Sequence, residues 1–426
     1  MHKSKSEQYK RNYVLLVLEG SFFMGGIGFF SSSTVIPVFI DMITHSKELV
    51  GLTITLGSFL TYFGRLLVGP YMPHVKNHAR FVTIIMFFCR PMTILPAFFI
   101  FTGHYSGAVF VLIFSYAVVW LADGLVVPGW SEVLANTVDE NRHGRLLGMQ
   151  MLIGGMASIG AGVLINVFLG NPRLDIKTAF AWIFLIGGLL LVLSCFMMAL
   201  TENAPTEYRI GKVDIKGYYK SLPQYFRIEN DNTRMMIVQL IIMTASMSVP
   251  FVILFAREKL GLPDNMTAVL ILIQTLGVPL GGWLWGQICD RFGCTTGIRL
   301  AAANILLIAV LPLLALVLNG IAPMIMMVPA MFLAGVSGGI WTCNYIYTVQ
   351  VVRPESRSAC LVLSSIVTLP ITFSSYLAGF ISERFGFVSL FIACIGIAII
   401  AFIVSFRIRP VKTVIEERKR EAPGIS

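Results

Sequence analysis

Glu19, Arg65, Arg90 and Asp123 stand inside long apolar runs in the first half of the sequence, and Glu132 stands near the end of one. A charge at such depth costs on the order of 3 kcal/mol unless it finds a partner, reaches water or neutralises. Two acids and two bases can close into ion pairs that lock helices together. An acid can instead bind and release a proton, and Asp123, nearest the middle of its run, is the first candidate for that work. Glu19 is the second. Tyr116, Trp120 and Asp123 fall three and four apart on one helical face, as do Trp341, Asn344, Tyr345 and Thr348 in the second half. Aromatic walls with a few polar handles suit an amphipathic organic solute, and the same residues serve equally well as packing.

Other chemistries have no residues to carry them. The sequence contains no Walker loop, His-Glu-x-x-His, Gly-x-Ser-x-Gly or metal-ligand cluster, so neither an ATP-driven pump nor a membrane hydrolase is indicated. No cofactor and no metal is expected. Cys89, Cys195, Cys289, Cys294, Cys343, Cys360 and Cys394 include no Cys-x-x-Cys pair and read as small packing residues.

The elements that must position these residues are membrane helices. The 426 residues are 56% hydrophobic and 13% charged, with a mean hydropathy of +0.79, whereas a soluble domain carries about a quarter charged residues. Long unalternating runs can satisfy their backbone in lipid only as helices. Twelve spans are expected, at 13–40, 49–72, 80–102, 107–135, 145–169, 177–200, 235–256, 266–289, 297–318, 323–350, 358–382 and 387–406. They divide the chain into a bundle at 1–200, a linker at 201–234, a second bundle at 235–406 and a basic tail at 407–426.

The formal net charge of +10 lies between spans and in the tails, so nucleic acid is not an expected partner. Lys and Arg gather at the N-terminus, linker and tail, which places both termini in the cytoplasm by the positive-inside rule. Within the linker, Ile215, Tyr218, Tyr219, Leu222 and Phe226 keep helical spacing while Lys212, Lys216 and Lys220 take another face. Either a short amphipathic helix on the inner leaflet or a solvated tether fits, with Pro223 against the helix.

The two halves repeat. Pro37 late in the first span is echoed by Pro250, Glu140-Asn-Arg142 by Glu355-Ser-Arg357, and Gly69 by Gly286, at offsets of 213, 215 and 217 residues. The turn Gly286-Gln-Ile-Cys-Asp290-Arg291-Phe-Gly293 resembles the loop signature of the major facilitator superfamily, and the resemblance extends over nearly the whole chain. It implies an all-α integral membrane fold of twelve transmembrane helices in two pseudo-symmetric six-helix bundles, with a binding site between the halves. It also implies that spans 1, 4, 7 and 10 line a cavity and that the third span is peripheral. Arg90 must then turn inward, to an acid or to an anionic substrate. Asp290 is expected to pair with Arg291 or with the positive end of a neighbouring helix as a gate. The two Glu-x-Arg loops are expected to form salt bridges that break during the cycle.

Departures from the family pattern are specific. Gly69-Pro-Tyr-Met-Pro73-His74-Val-Lys76 lacks the Asp-Arg pair, and Trp120-Leu-Ala-Asp123-Gly124 stands where many proton-coupled relatives show Arg-x-x-Gln-Gly. The expected activity is secondary transport of a small organic solute by alternating access, with a proton as a candidate coupling ion. A receptor or scaffold that keeps the fold without turnover is the competing reading. The expected location is a plasma membrane or bacterial inner membrane, with membrane lipids as partners.

Overall fold

The structure, a computed structural model, describes residues 5–31, 35–44, 47–139, 142–202, 212–262 and 264–421. Among them are helices and turns but no strand. The first half runs α1 (Lys5–Phe29), α2 (Val35–Thr44), α3 (Lys47–Val68), α4 (His78–Cys89), α5 (Leu95–Phe101), α6 (Tyr105–Thr137), α7 (His143–Leu169) and α8 (Ile176–Ala199). Short helices α9 (Ile215–Ser221) and α10 (Tyr225–Ile228) follow. The second half runs α11 (Asn230–Ala245), α12 (Phe251–Glu258), α13 (Asp264–Phe292), α14 (Cys294–Ala315), α15 (Ala322–Val336), α16 (Trp341–Val351), α17 (Pro354–Thr368) and α18 (Ser374–Ser405), with α19 (Val411–Glu421) after it.

There are more helices than spans because several spans are broken. The third span changes from α4 to α5 through a 3₁₀ turn, Arg90–Ile94, where Pro91 removes a backbone donor. The seventh changes from α11 to α12 through Ser246–Ser248 and Pro250, and the tenth from α15 to α16 through Ser337–Gly339. Conversely, α18 holds the end of the eleventh span and the whole twelfth. Gly386, at φ 83°, turns the chain between them, a conformation that a residue with a Cβ rarely adopts. Among the described residues ten helices are long and apolar enough to cross a membrane, and the chain has the all-α membrane fold of twelve spans in two six-helix bundles.

The chain divides into two compact units, residues 1–140 with 149–220 and residues 141–148 with 221–426. In the first, Phe39 packs against Phe180 and Phe184, with ring centroids 5.1 and 5.2 Å apart. Lipid is as apolar as these rings, so close fit rather than exclusion of water holds them. Small residues set the tightest crossings. A Cβ on Gly124 of α6 would fall 2.1 Å from the Thr61 oxygen of α3. In the second unit a Cβ on Gly335 of α15 would fall 2.0 Å from the Gln274 oxygen of α13. The second and fourth spans of each unit therefore meet through glycine in the same way.

Candidate functional site

Arg90 ends α4, and the break beginning there frees its side chain from a regular helical surface. Its guanidinium donates to Glu19 Oε1 on α1 at 3.1 Å and also to Ser194 Oγ on α8. Trp130 of α6 donates its indole N–H to the other Glu19 oxygen at 3.2 Å. The Phe23 ring lies 4.5 Å from the guanidinium carbon. Glu19 and Arg90 are 4% and 5% exposed, so each neutralises the other out of reach of water. Arg90 thus turns inward to an acid. Ser194 and Trp130 complete that arrangement, and nothing in their sequence spacing marked them.

Asp123 is left outside this pair. It is half-buried and makes no hydrogen bond and no ion pair within 4.0 Å among the described residues. Arg65 stands on α3, across the α3–α6 crossing from it. Arg65 is also half-buried and without an ion pair, and its Nε is sealed from solvent with no acceptor. The neighbours of these two residues, Gly64 and Gly124, form the tight α3–α6 crossing. Trp120 lies on the same helix with its Nε1 buried and without an acceptor. The four expected charges therefore resolve into one closed pair and one open pair.

Tyr116 shares the Asp123 face in sequence yet is 6% exposed and belongs to the first unit's core, packed against Gly57 and at 6.0 Å from Trp120. In the second unit Trp341 and Tyr345 repeat that edge-on contact at 6.0 Å. Trp341 is 43% exposed, whereas Asn344 is buried with its Oδ1 lacking a donor. Thr348 donates to Asn232 Oδ1 at 3.0 Å. The polar side chains on this face, Asn344 and Thr348, are uncharged.

Gly286, Asp290 and Gly293 of the second-half turn each have a distinct task. A Cβ on Gly286 would fall 2.1 Å from the Gly144 oxygen, so only glycine admits that approach. Gly293 ends α13 at φ 85°. Asp290 accepts from the backbone N–H of Gly144 at 2.9 Å and of Arg145 at 2.5 Å. Both donors lie in the first turn of α7, within the stretch 141–148 that groups with the second unit. The expected alternative of a helix N-terminus is therefore the one realised, while Arg291 is exposed. Burial pushes the Asp290 carboxyl up to about 6, against the pull of the two N–H donors.

The Glu-x-Arg loops differ from one another. Glu140 lies outside the described residues and Arg142 is exposed, whereas Arg357 is buried and Glu355 is exposed in the first turn of α17. There Glu355 complements the helix dipole.

Another polar constellation went unread in the sequence. Arg409 donates through Nε and Nη2 to Asp231 at 2.8 and 2.7 Å, and through Nη1 to Glu417 of α19 at 2.5 Å. Tyr347 of α16 donates to the Arg409 carbonyl at 3.0 Å. Its signal was the Arg-Pro step directly after the last apolar run, read there only as topology.

A family profile, the Major Facilitator Superfamily, matches residues 20–359 and 235–425. Among solved structures, the Escherichia coli fucose:proton symporter superposes with a TM-score of 0.73 at 12% identity, covering 94% of this chain and 99% of that one. A bacterial homologue of the iron transporter ferroportin in an outward-facing state gives 0.70 at 13%, covering 93% and 98%. A proton:xylose symporter bound to 6-bromo-6-deoxy-D-glucose gives 0.68 at 11%, covering 95% and 97%. No curated protein matches.

Proposed function

This chain belongs to the major facilitator superfamily, and from that premise we propose that it moves a small organic solute by alternating access, with Asp123 as the proton-binding group that couples transport. The observation that carries the reading is the open state of Asp123. The nearby Glu19 and Arg90 engage each other, leaving Asp123 facing Arg65 across the α3–α6 crossing without a contact. A carboxylate held at that depth without a partner is a costly arrangement for packing alone, and a serviceable one for a proton that comes and goes. Two of the structural relatives are proton symporters, which supports the reading without fixing the substrate.

The Asp290 contact with the start of α7 serves as the gate latch of this scheme, and the Glu-x-Arg loops assist it. Both termini face the cytoplasm of a plasma or bacterial inner membrane, in keeping with the distribution of Lys and Arg. Solute counterflow in proteoliposomes, at several pH values, is the test. Transport that rises or falls with pH in the native protein, and loses that dependence in a folded Asp123→Asn variant, is the expected result. Uptake with the same pH profile in both proteins removes Asp123 from coupling. Specific binding without any counterflow favours a receptor.

A further inference from the structure

We propose that the first unit recognises a zwitterionic organic solute, its anionic group on Arg65 and its ammonium group on Asp123, with Trp120 beside them. The proposal rests on the transport reading above and names the substrate class of that site.

Arg65 and Asp123 are opposite charges on adjacent helices, α3 and α6, that make no ion pair with each other or with any described residue. The glycines next to them fix the separation, since Gly64 and Gly124 already hold the two backbones at contact. Arg65 carries a sealed Nε–H with no acceptor, and its guanidinium lies 5.7 Å from the Tyr62 ring centroid. Trp120 carries a second sealed N–H with no acceptor. A guanidinium with an N–H that lacks an acceptor calls for a group rich in acceptor oxygens, and a planar carboxylate meets a guanidinium through two parallel bonds. The Asp123 carboxylate calls for a donor of opposite charge.

A neutral sugar would leave both charges without a counter-charge, and a singly charged solute would leave one. A zwitterion answers both and keeps the filled site neutral. The second unit supports the same assignment by contrast. The polar side chains on its aromatic face, Asn344 and Thr348, are uncharged, so charge selection rests with the first unit.

The test is equilibrium binding to the full-length protein in nanodiscs, using four probes of similar shape or size: phenylalanine, phenylalaninamide, 3-phenylpropanoate and glucose. Leucine and glycine betaine extend the zwitterionic set. At least one zwitterion should bind about tenfold or more tighter than every singly charged or neutral probe. Arg65→Gln should erase the advantage over the amide, and Asp123→Asn the advantage over the propanoate. Arg65→Lys, which keeps the charge without the planar fork, should restore part of it and serves if the Gln variant fails to fold. Tightest binding by a singly charged probe or by glucose, no binding by any zwitterion, or an unaltered preference in both variants overturns the proposal. Counterflow of a neutral or singly charged solute would overturn it while leaving the transport reading intact. Zwitterion binding without counterflow would do the reverse.

Discussion

The two units handle buried charge at different depths. In the first, Arg90 meets Glu19 inside the bundle, with side chains 6% exposed on both sides. In the second, the polar side chains on the aromatic face of α16, Asn344 and Thr348, are uncharged, and an ion pair stands at the end of the helices, where Arg409 remains 40% exposed over Asp231. A charge at depth must be matched or put to use, whereas a charge at a helix end can share its load with water. Under the function proposed above, the contrast leaves solute and proton recognition to the first unit. To the second it assigns the contacts that hold helix ends: Asp290 on the start of α7, and Arg409 on Asp231 and α19. The two loops repeat the lesson. Gly286–Gly293 carries a carboxylate that caps a helix, whereas Gly69–His74 carries none and forms a 3₁₀ turn. On the first unit, the Tyr219 hydroxyl of α9 instead donates to the Leu66 carbonyl at 2.6 Å, near the end of α3.

The sharpest break in this contrast is Arg90→Gln. It leaves Glu19 buried with Trp130 as its remaining donor and should cost about 3–5 kcal/mol, read as lost thermal stability in detergent. The double variant Glu19→Gln/Arg90→Gln should recover a good part of that loss, since no unmatched charge remains. Equal stability of the single variant and the native protein would show that the pair carries no load. Gly286→Ala comes next, because its Cβ would meet the Gly144 carbonyl at 2.1 Å, and backbone must move. About 1–3 kcal/mol of destabilisation and a sharp fall in transport are expected.

Asp290 offers a pH test with a definite sign. Its carboxyl is pushed up to about 6 by burial, above the 3.8 usual for Asp, so the packed arrangement binds the proton more tightly than solvated Asp does. Its contribution to the capped state is complete below pH about 4 and is lost as pH rises through about 6. Hydrogen exchange at the Gly144 and Arg145 amides, corrected for intrinsic rate, should therefore slow between pH 7 and pH 5. Asp290→Asn should flatten that dependence, and a native profile already flat would remove Asp290 from the latch. Arg409→Ala should cost only about 1 kcal/mol, because its guanidinium is partly solvated, and should loosen α19 first, as read by proteolysis of the tail. Asp123→Asn should change stability least of all, by well under about 1 kcal/mol, since no described contact is lost. A marked fall in melting temperature there would make Asp123 a structural residue.

Some of the candidate site was readable from local pattern. Gly286, Asp290 and Gly293 are separated by less than two turns of chain, so their tasks of close approach, capping and helix ending follow from residue type and spacing. Intramembrane charges announced themselves by their cost in lipid. Tyr116 shows where such reading stopped: its helical face is legible, yet contact with Gly57 of α3 puts it in the core. Asp231 escaped notice because it begins a span next to polar residues, and its partner lies 178 residues away.

By itself the sequence determined the helical class, the number of spans and the doubled plan, because apolar length and turn residues act locally and lipid leaves the backbone no alternative. Only the tertiary structure decided which charges meet. Arg90 and Glu19 stand 71 residues apart, and Asp290 lies 146 residues from the amide of Gly144 that it caps. Coulombic energy depends on distance in space, and that distance is set by glycine crossings and helix breaks whose partners no local spacing encodes.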